Sequence, residues 1–90
     1  MNRCIITVVG KDTVGIIARV CTYLADKNVN ILDITQTIVS GYFNMMMIVD
    51  TGNVREDFHY LVSGLESLGE KIGVQIKCQR EDIFEKMHRI

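Results

Sequence analysis

The chain has 90 residues, of which 48% are hydrophobic and 23% charged, and its net charge is −1. This length predicts one globular domain, and the near-neutral charge gives no electrostatic basis for binding nucleic acid or an anionic membrane. Cys4, Cys21 and Cys78 lie far apart without metal-ligand spacing, which favours buried, reduced thiols in a cytoplasmic protein. We find no segment with the length of a signal-peptide core or a membrane span.

The first half of the chain predicts a strand, a helix and a hairpin. Residues 4–9 are rich in β-branched side chains and predict a strand. Asp12 or Thr13 can cap the helix that follows. Its apolar stripe consists of residues at helical spacing: Ile17, Val20, Cys21 and Leu24.

Residues 29–39 predict a second strand with two different faces. One face carries the apolar side chains Leu32, Ile34 and Ile38. The other face carries the polar side chains Asp33, Thr35 and Thr37. Ser40 and Gly41 predict a tight turn, after which residues 43–49 return as a third strand.

The second half adds a helix, a strand and a short terminal helix. The second helix is predicted from apolar residues at alternating three- and four-residue steps: Phe58, Leu61, Leu65, Leu68 and Ile72. Gly73 ends this helix, and the alternation of residues 74–79 predicts an edge strand. Residues 81–90 predict a terminal helix whose apolar side consists of Ile83, Met87 and Ile90.

This βαββαβ order predicts a ferredoxin-like α+β fold, with a four-stranded antiparallel sheet, two helices on one face and a short C-terminal helix. Strands one and three are apolar on both faces, so we expect them in the centre. With both helices on one face, apolar side chains remain on the other, and monomers rarely leave such a patch open. We expect a homodimer, or the terminal segment around Ile83, Phe84 and Met87, to cover it.

The turn between the first strand and the first helix is the candidate ligand site. Gly15 lets a ligand approach without meeting a Cβ, and backbone N–H groups from Thr13 to Ile16 favour a carboxylate at the positive end of the helix. Asp12 can pair with an α-ammonium group, and Asn30 can orient the ligand through its amide. A plain helix cap explains Asp12 or Thr13 equally well, and a polar strand start explains Asn30.

Two segments carry a resemblance to a known family. Residues 10–18, GKDTVGIIA, followed after a helix by residues 28–31, NVNI, resemble the opening half of the ACT domain. ACT domains are small regulatory modules of amino-acid metabolism that commonly bind amino acids at dimer interfaces. The hairpin around residues 36–46 and the ending Ile83-Phe84-Glu85 resemble the stand-alone ACT proteins of the UPF0237 group. The resemblance implies one ACT domain over residues 1–90, with residues 80–90 as a helical extension.

The resemblance also implies a site and its partners. The implied ligand-binding residues are Asp12, Thr13, Val14, Gly15, Ile16, Asn30 and Ile31. The implied ligand is an amino acid or a related metabolite, bound by a homodimer that acts on an enzyme or regulator, without a catalytic residue, metal or cofactor. ACT domains usually have Pro immediately before the loop glycine, whereas Val14 stands here, so the loop is less rigid.

Two other functions fit the same chain order. Gly10, Gly15, Arg19 and Asn30 resemble the phosphate loop, arginine and water-positioning asparagine of an acylphosphatase, an enzyme of similar size. The spacing between the two glycines is one residue too long for that family, and its loop glutamine is absent. A purely structural dimer without a ligand is the remaining alternative.

Overall fold

The computed structural model describes residues 3–11 and 13–83. Its elements are β1 (Arg3–Lys11), α1 (Ile16–Asp26), β2 (Asn30–Val39), β3 (Tyr42–Asp50), α2 (Phe58–Ile72) and β4 (Val74–Arg80). Residues 81–83 begin a further helical turn after β4. The rest of the predicted terminal helix, with Phe84, Glu85, Met87 and Ile90, lies outside the described residues, as does Asp12.

The strands form one sheet in the order β2-β3-β1-β4, and all neighbouring strands are antiparallel. This confirms the ferredoxin-like fold and the central position of β1 and β3. The physical reason is that strands with two apolar faces are excluded from the edges by the cost of exposing those faces. The polar alternation of β4 places it at one edge, and β2 forms the other.

The core lies between the sheet and the two helices. The largest fully buried side chains come from the sheet and from both helices: Ile6, Leu24, Met47, Leu61 and Leu65. On α1 the buried line is Ile16, Val20 and Leu24, with Ile17 and Cys21 partly buried beside it. Each large apolar side chain buried in this way contributes about 1.5–3 kcal/mol to the free energy of unfolding.

Strand β2 departs from simple alternation at Leu32. Ile31 pairs with Val49 and Asp33 pairs with Ile48, so Leu32 is the extra residue of a β-bulge. Ile31 therefore takes the place against the core that the alternation predicted for Leu32, which is 44% exposed. A bulge adds one residue to one strand only, and the pattern of apolar residues does not reveal it.

The β2–β3 turn consists of Ser40 and Gly41, as predicted. Both residues have positive φ angles, 51° and 80° respectively. Two consecutive left-handed residues form the turn whose twist matches antiparallel strands, and glycine adopts this backbone without strain. The turn fixes the register that pairs Val39 with Tyr42.

Apolar surface stays open on both faces of the sheet near β2 and β3. On the face without helices, Val9 is 46%, Met46 43% and Tyr42 53% exposed, as the two-faced strands predicted. On the helix face, Ile34 is 42% and Ile38 59% exposed, although their cross-strand partners are core residues. The sequence did not predict this second patch, which exists because α1 and α2 leave the β2 edge uncovered.

Gly69 allows α2 to approach β4 closely. A Cβ at this position would lie 2.7 Å from the Val74 carbonyl oxygen and 3.3 Å from the Ile76 backbone nitrogen. Because backbone atoms cannot move aside cheaply, we expect Gly69→Ala to lower the free energy of unfolding by about 1–3 kcal/mol, measured by urea denaturation. Helix propensity alone predicts the opposite sign, a gain of about 1 kcal/mol.

The matched control for Gly69→Ala is Gly64→Ala in the same helix. A Cβ at Gly64 would meet the hydroxyl and two ring carbons at the outer end of the Tyr23 side chain and no backbone atom, so a shift of that side chain can relieve the contact. We expect Gly64→Ala to be close to neutral in the same urea titration. Equal free energies of unfolding for the two variants would contradict the close approach of α2 and β4.

Candidate functional site

The loop between β1 and α1 ends in an unusual helix start. Gly15 is the N-cap of α1 and adopts a left-handed backbone with φ 89°, and its carbonyl accepts the Arg19 N–H at 3.0 Å. Within the described residues, no side chain caps the helix, so Thr13 is not the cap that the sequence predicted. The helix begins too far beyond Thr13 for that role. Its first-turn N–H groups, which lack partners within the helix, therefore face the loop.

Space next to Gly15 is open. A Cβ at this position would meet no atom of residues 3–11 and 13–83 within 4 Å. The adjoining hollow of about 400 Å³ is lined by Thr13, Gly15, Ile16, Ile17, Ala18 and Phe43. The side chain of Ile16 is buried and anchors the loop to the core, whereas Val14 is fully exposed and does not line the hollow.

Phe43 also lines this hollow, and the sequence did not predict it as a site residue. The Ser40-Gly41 turn sets the register of the hairpin, and this register pairs Phe43 with Gly10 near the end of β1. The aromatic ring is buried beside the loop and gives the hollow an apolar wall. The turn residues and the strand order together could have placed Phe43 there.

Asn30 lies at the opposite end of the sheet from the loop. Arg3, Asp50 and Asn30 lie side by side at one end, whereas Lys11 and the β2–β3 turn lie at the other. Strand β2 has 10 residues, so at about 3.4 Å per residue its ends are separated by roughly 30 Å. A single chain therefore does not bring Asn30 and Ile31 together with Gly15.

A separate polar hollow surrounds Asn30. It has a volume of about 550 Å³ and is lined by Asn28, Val29, Asn30, Asn53 and Arg55. Amide and guanidinium groups donate hydrogen bonds to carboxylates, so this hollow can also contact an acidic group. Asn53 and Arg55 come from the segment after β3, which returns to the start of β2 because β3 and β2 are antiparallel.

The residues of the acylphosphatase alternative are not assembled within the chain. Gly10 packs against Val74 of β4, Arg19 is exposed on α1, and Asn30 lies at the far end of the sheet from Gly15. Over residues 3–11 and 13–83, no group of three His, Cys, Asp or Glu side chains could hold a metal ion. Within the same residues, no helix is long and apolar enough to cross a membrane.

Comparison with known proteins decides the family. The family model of the ACT domain matches residues 2–79. A UPF0237 protein of Bifidobacterium longum is 70% identical over 90 residues, which cover 100% of both chains. The chain is an ACT domain protein of the UPF0237 group. This confirms the resemblance seen in the loop, the second strand and the hairpin.

Solved structures show the same ACT fold. An ACT domain protein from Streptococcus pneumoniae is 43% identical with a TM-score of 0.82, and the match covers 93% of this chain and 94% of that one. The regulatory subunit of aspartate kinase from Thermus thermophilus has a TM-score of 0.67 at 21% identity, covering 87% of this chain and 50% of that one. At that identity the likeness concerns the fold alone.

Proposed function

We propose that this ACT domain is a non-catalytic, cytoplasmic regulatory module that binds a small amino acid or a related metabolite as a homodimer. The observation that carries the proposal is the start of α1, where Gly15 leaves open space beside a first turn that no side chain of the described residues caps. Such a helix start attracts a carboxylate because several N–H groups and the positive end of the helix dipole converge on it.

The hollow beside Gly15 supports an amino acid as the ligand class. A carboxylate at the first turn of α1 leaves the rest of the ligand against Phe43 and Ile17, which form apolar walls for a small side chain. In this proposal Thr13, Val14, Gly15 and Ile16 contribute the loop backbone. Asp12, which lies outside the described residues, pairs with the α-ammonium group.

A second copy of the chain completes the site in this proposal. If two copies pair antiparallel along the full length of β2 about a two-fold axis, Asn30 of the partner subunit lies beside Val39 at the loop end. This arrangement removes the roughly 30 Å along the strand direction that separate Asn30 from Gly15 within one chain. Each dimer then contains two equivalent sites, each built from one loop and one Asn30 from the other chain.

The composition of β2 supports pairing along this edge. Natural edge strands often carry lysine, proline or inward-pointing charges that prevent further strand addition. Strand β2 carries neither lysine nor proline, and its single charged residue is Asp33. The exposed side chains of Ile34 and Ile38 add apolar surface beside the edge. Dimerisation through β2 buries both, and ligand binding across this interface favours one arrangement of the subunits, with a coupling energy of about 1–3 kcal/mol.

A thermal-shift panel of amino acids and related metabolites, combined with a measurement of oligomeric mass, tests the proposal. A ligand at one hundred times its Kd adds about 2.7 kcal/mol to the free energy of unfolding, which raises Tm by several degrees in a domain of this size. We expect a dimeric mass and a shift with at least one amino acid. A dimer without any shift in Tm would support the purely structural alternative. Turnover of an acyl phosphate in a separate hydrolysis assay would support the acylphosphatase alternative.

A further inference from the structure

A groove that the proposed function does not use runs beside α2 along the edge strand β4. Its volume is about 590 Å³. One wall consists of residues of α2 and its C-cap: Val62, Glu66, Gly69, Glu70 and Gly73. The other wall consists of residues 74–79 of β4, which follow one another without a gap. At about 3.4 Å per residue, this wall has the length of a short extended peptide.

The outer edge of β4 presents backbone hydrogen-bonding groups. In the part of the chain that the structure describes, β4 pairs with β1 alone and forms one edge of the sheet. In an antiparallel pair, alternate residues direct their N–H and C=O groups toward the partner strand, and the residues between them direct theirs away. Such a row of outward donors and acceptors is what an added strand recognises.

Helix α2 covers the groove from the helix face of the sheet. Gly69 brings this helix close to the start of β4, since a Cβ there would lie 2.7 Å from the Val74 carbonyl oxygen. Val62 of the helix and Ile76 of the strand give the groove apolar surface. A strand added to β4 would therefore pair through its backbone on one side and pack its side chains against α2.

The helix wall of the groove is acidic. Glu66 and Glu70 lie four residues apart on α2, both are exposed, and neither forms an ion pair with another described side chain. Lys77 also lines the groove, but it alternates with the buried Ile76 and Cys78 and so lies on the face of the sheet away from α2. On the helix face, the groove therefore favours cationic side chains.

A second copy of the chain matches this edge poorly. Lys77 is the central residue of β4 (Val74–Arg80), so two β4 strands paired along their full length about a two-fold axis would place the two Lys77 residues opposite each other. Like charges directly opposite destabilise a strand pair. The same pairing would bring the Glu66 and Glu70 carboxylates of both copies to one interface. The groove therefore fits a different chain, with its positive charges toward α2.

We propose that the groove between α2 and β4 binds an extended, basic segment of a partner protein, which adds to β4 as a fifth strand of the sheet. The carrying observations are the run of strand residues that lines the groove and the two carboxylates on its helix wall. This inference is independent of the ligand and the dimer proposed above, because those use the Gly15 loop and the opposite edge strand, β2.

A fluorescently labelled peptide that alternates threonine and arginine over seven residues, the length of β4, tests the charge preference. All its arginines lie on one face of the extended peptide because strand side chains alternate. Fluorescence anisotropy with the full chain measures its Kd. We expect it to bind at least tenfold more tightly than the same peptide with glutamate at the arginine positions. Equal affinity of the two peptides would contradict the proposal.

N-methylation of the probe tests strand addition itself. Methyl groups on the threonine nitrogens block one edge of the peptide, and methyl groups on the arginine nitrogens block the other. Only the edge that faces β4 needs its N–H groups, so one methylated peptide should lose binding and the other should keep it. If both bind as tightly as the unmodified peptide, charge alone holds it and strand addition is wrong.

Acid-to-amide substitutions test the groove on the side of the protein. Glu66→Gln and Glu70→Gln should each weaken binding of the arginine peptide about threefold, and the double variant about tenfold. Asp26→Asn is the matched control, because Asp26 is an exposed acid at the end of α1 that does not line the groove. An equal loss of affinity in Asp26→Asn would show attraction by overall charge and would overturn the proposed site.

Hydrogen exchange of the chain without peptide distinguishes a second copy from a foreign strand. We expect the outward amides of β4 to exchange quickly in the chain alone and slowly once the arginine peptide is bound. Slow exchange of all β4 amides without peptide, which becomes fast on dilution, would assign the groove to a second copy and overturn the inference.

Discussion

Gly15→Ala is expected to weaken amino-acid binding at least tenfold while the chain stays folded and dimeric. The φ angle of 89° costs an alanine about 1–2 kcal/mol, and its Cβ would occupy the open space proposed for the ligand. We expect at least a tenfold rise in Kd, which corresponds to about 1.4 kcal/mol or more. Isothermal titration calorimetry with the amino acid that gives the largest thermal shift measures this change.

Gly73→Ala is the control that separates strain from ligand contact. Gly73 has a φ angle of 79°, and a Cβ there would also meet nothing within 4 Å. The two variants should therefore lose similar amounts of stability in urea. Only Gly15→Ala should lose affinity, and an equal loss in Gly73→Ala would show that binding depends on overall stability instead of the loop.

Subunit mixing tests whether the site spans two chains. In a two-fold dimer, Gly15→Ala damages the loop of both sites and Asn30→Ala damages the opposite half of both. After mixing and exchange, a heterodimer carries one site with both defects and one site with neither. Random exchange should therefore restore roughly a quarter of all sites to wild-type affinity. No recovery after verified exchange would mean that Gly15 of one chain and Asn30 of the other do not form one site.

Ile34→Lys is expected to convert the dimer to a monomer. Ile34 is 42% exposed in the single chain, so a lysine there costs the isolated fold little. In a dimer paired through β2 the same ammonium group would be buried without a partner, at a cost of several kcal/mol. We expect the dimer dissociation constant to rise at least about one hundredfold, measured by analytical ultracentrifugation with circular dichroism as the check on folding.

Met46→Lys distinguishes the two faces of the sheet. Met46 is 43% exposed, almost the same as Ile34, but it lies on the face without helices. If the dimer forms through β2, Met46→Lys should remain dimeric. A monomeric Met46→Lys with a dimeric Ile34→Lys would instead assign the interface to the open sheet face, which is where the sequence first predicted the partner chain.

The sequence predicted the exposure of the open sheet face but not the exposure of the apolar residues at the β2 edge. Apolar residues on both faces of β1 and β3 predicted their central position and the open patch with Val9 and Met46. The exposure of Ile34 and Ile38 could not be predicted, because these residues look like ordinary core positions of an amphipathic strand. Only the placement of the helices over the sheet shows that they remain uncovered.

The relative positions of Cys4 and Cys78 also could not be predicted from the sequence. The sequence placed Cys4 on β1 and Cys78 on β4, and it interpreted both as buried apolar side chains, which is what their burial confirms. Their position as diagonal neighbours depends on the register of two strands that are separated by the rest of the chain. A register is set by packing and turn geometry over the whole sheet, so the spacing of two cysteines in sequence does not reveal it.

Local sequence by itself determined the order of elements, the fold and the loop at Gly15, because strand and helix periodicity, turn residues and a glycine before a helix act over a few neighbouring residues. Tertiary structure alone decided that Asn30 lies at the far end of the sheet from that loop, that a bulge at Leu32 turns Ile31 toward the core, and that Cys4 and Cys78 are diagonal neighbours on β1 and β4. These features depend on strand pairing between distant segments, where the direction and register of each strand fix which side chains become neighbours.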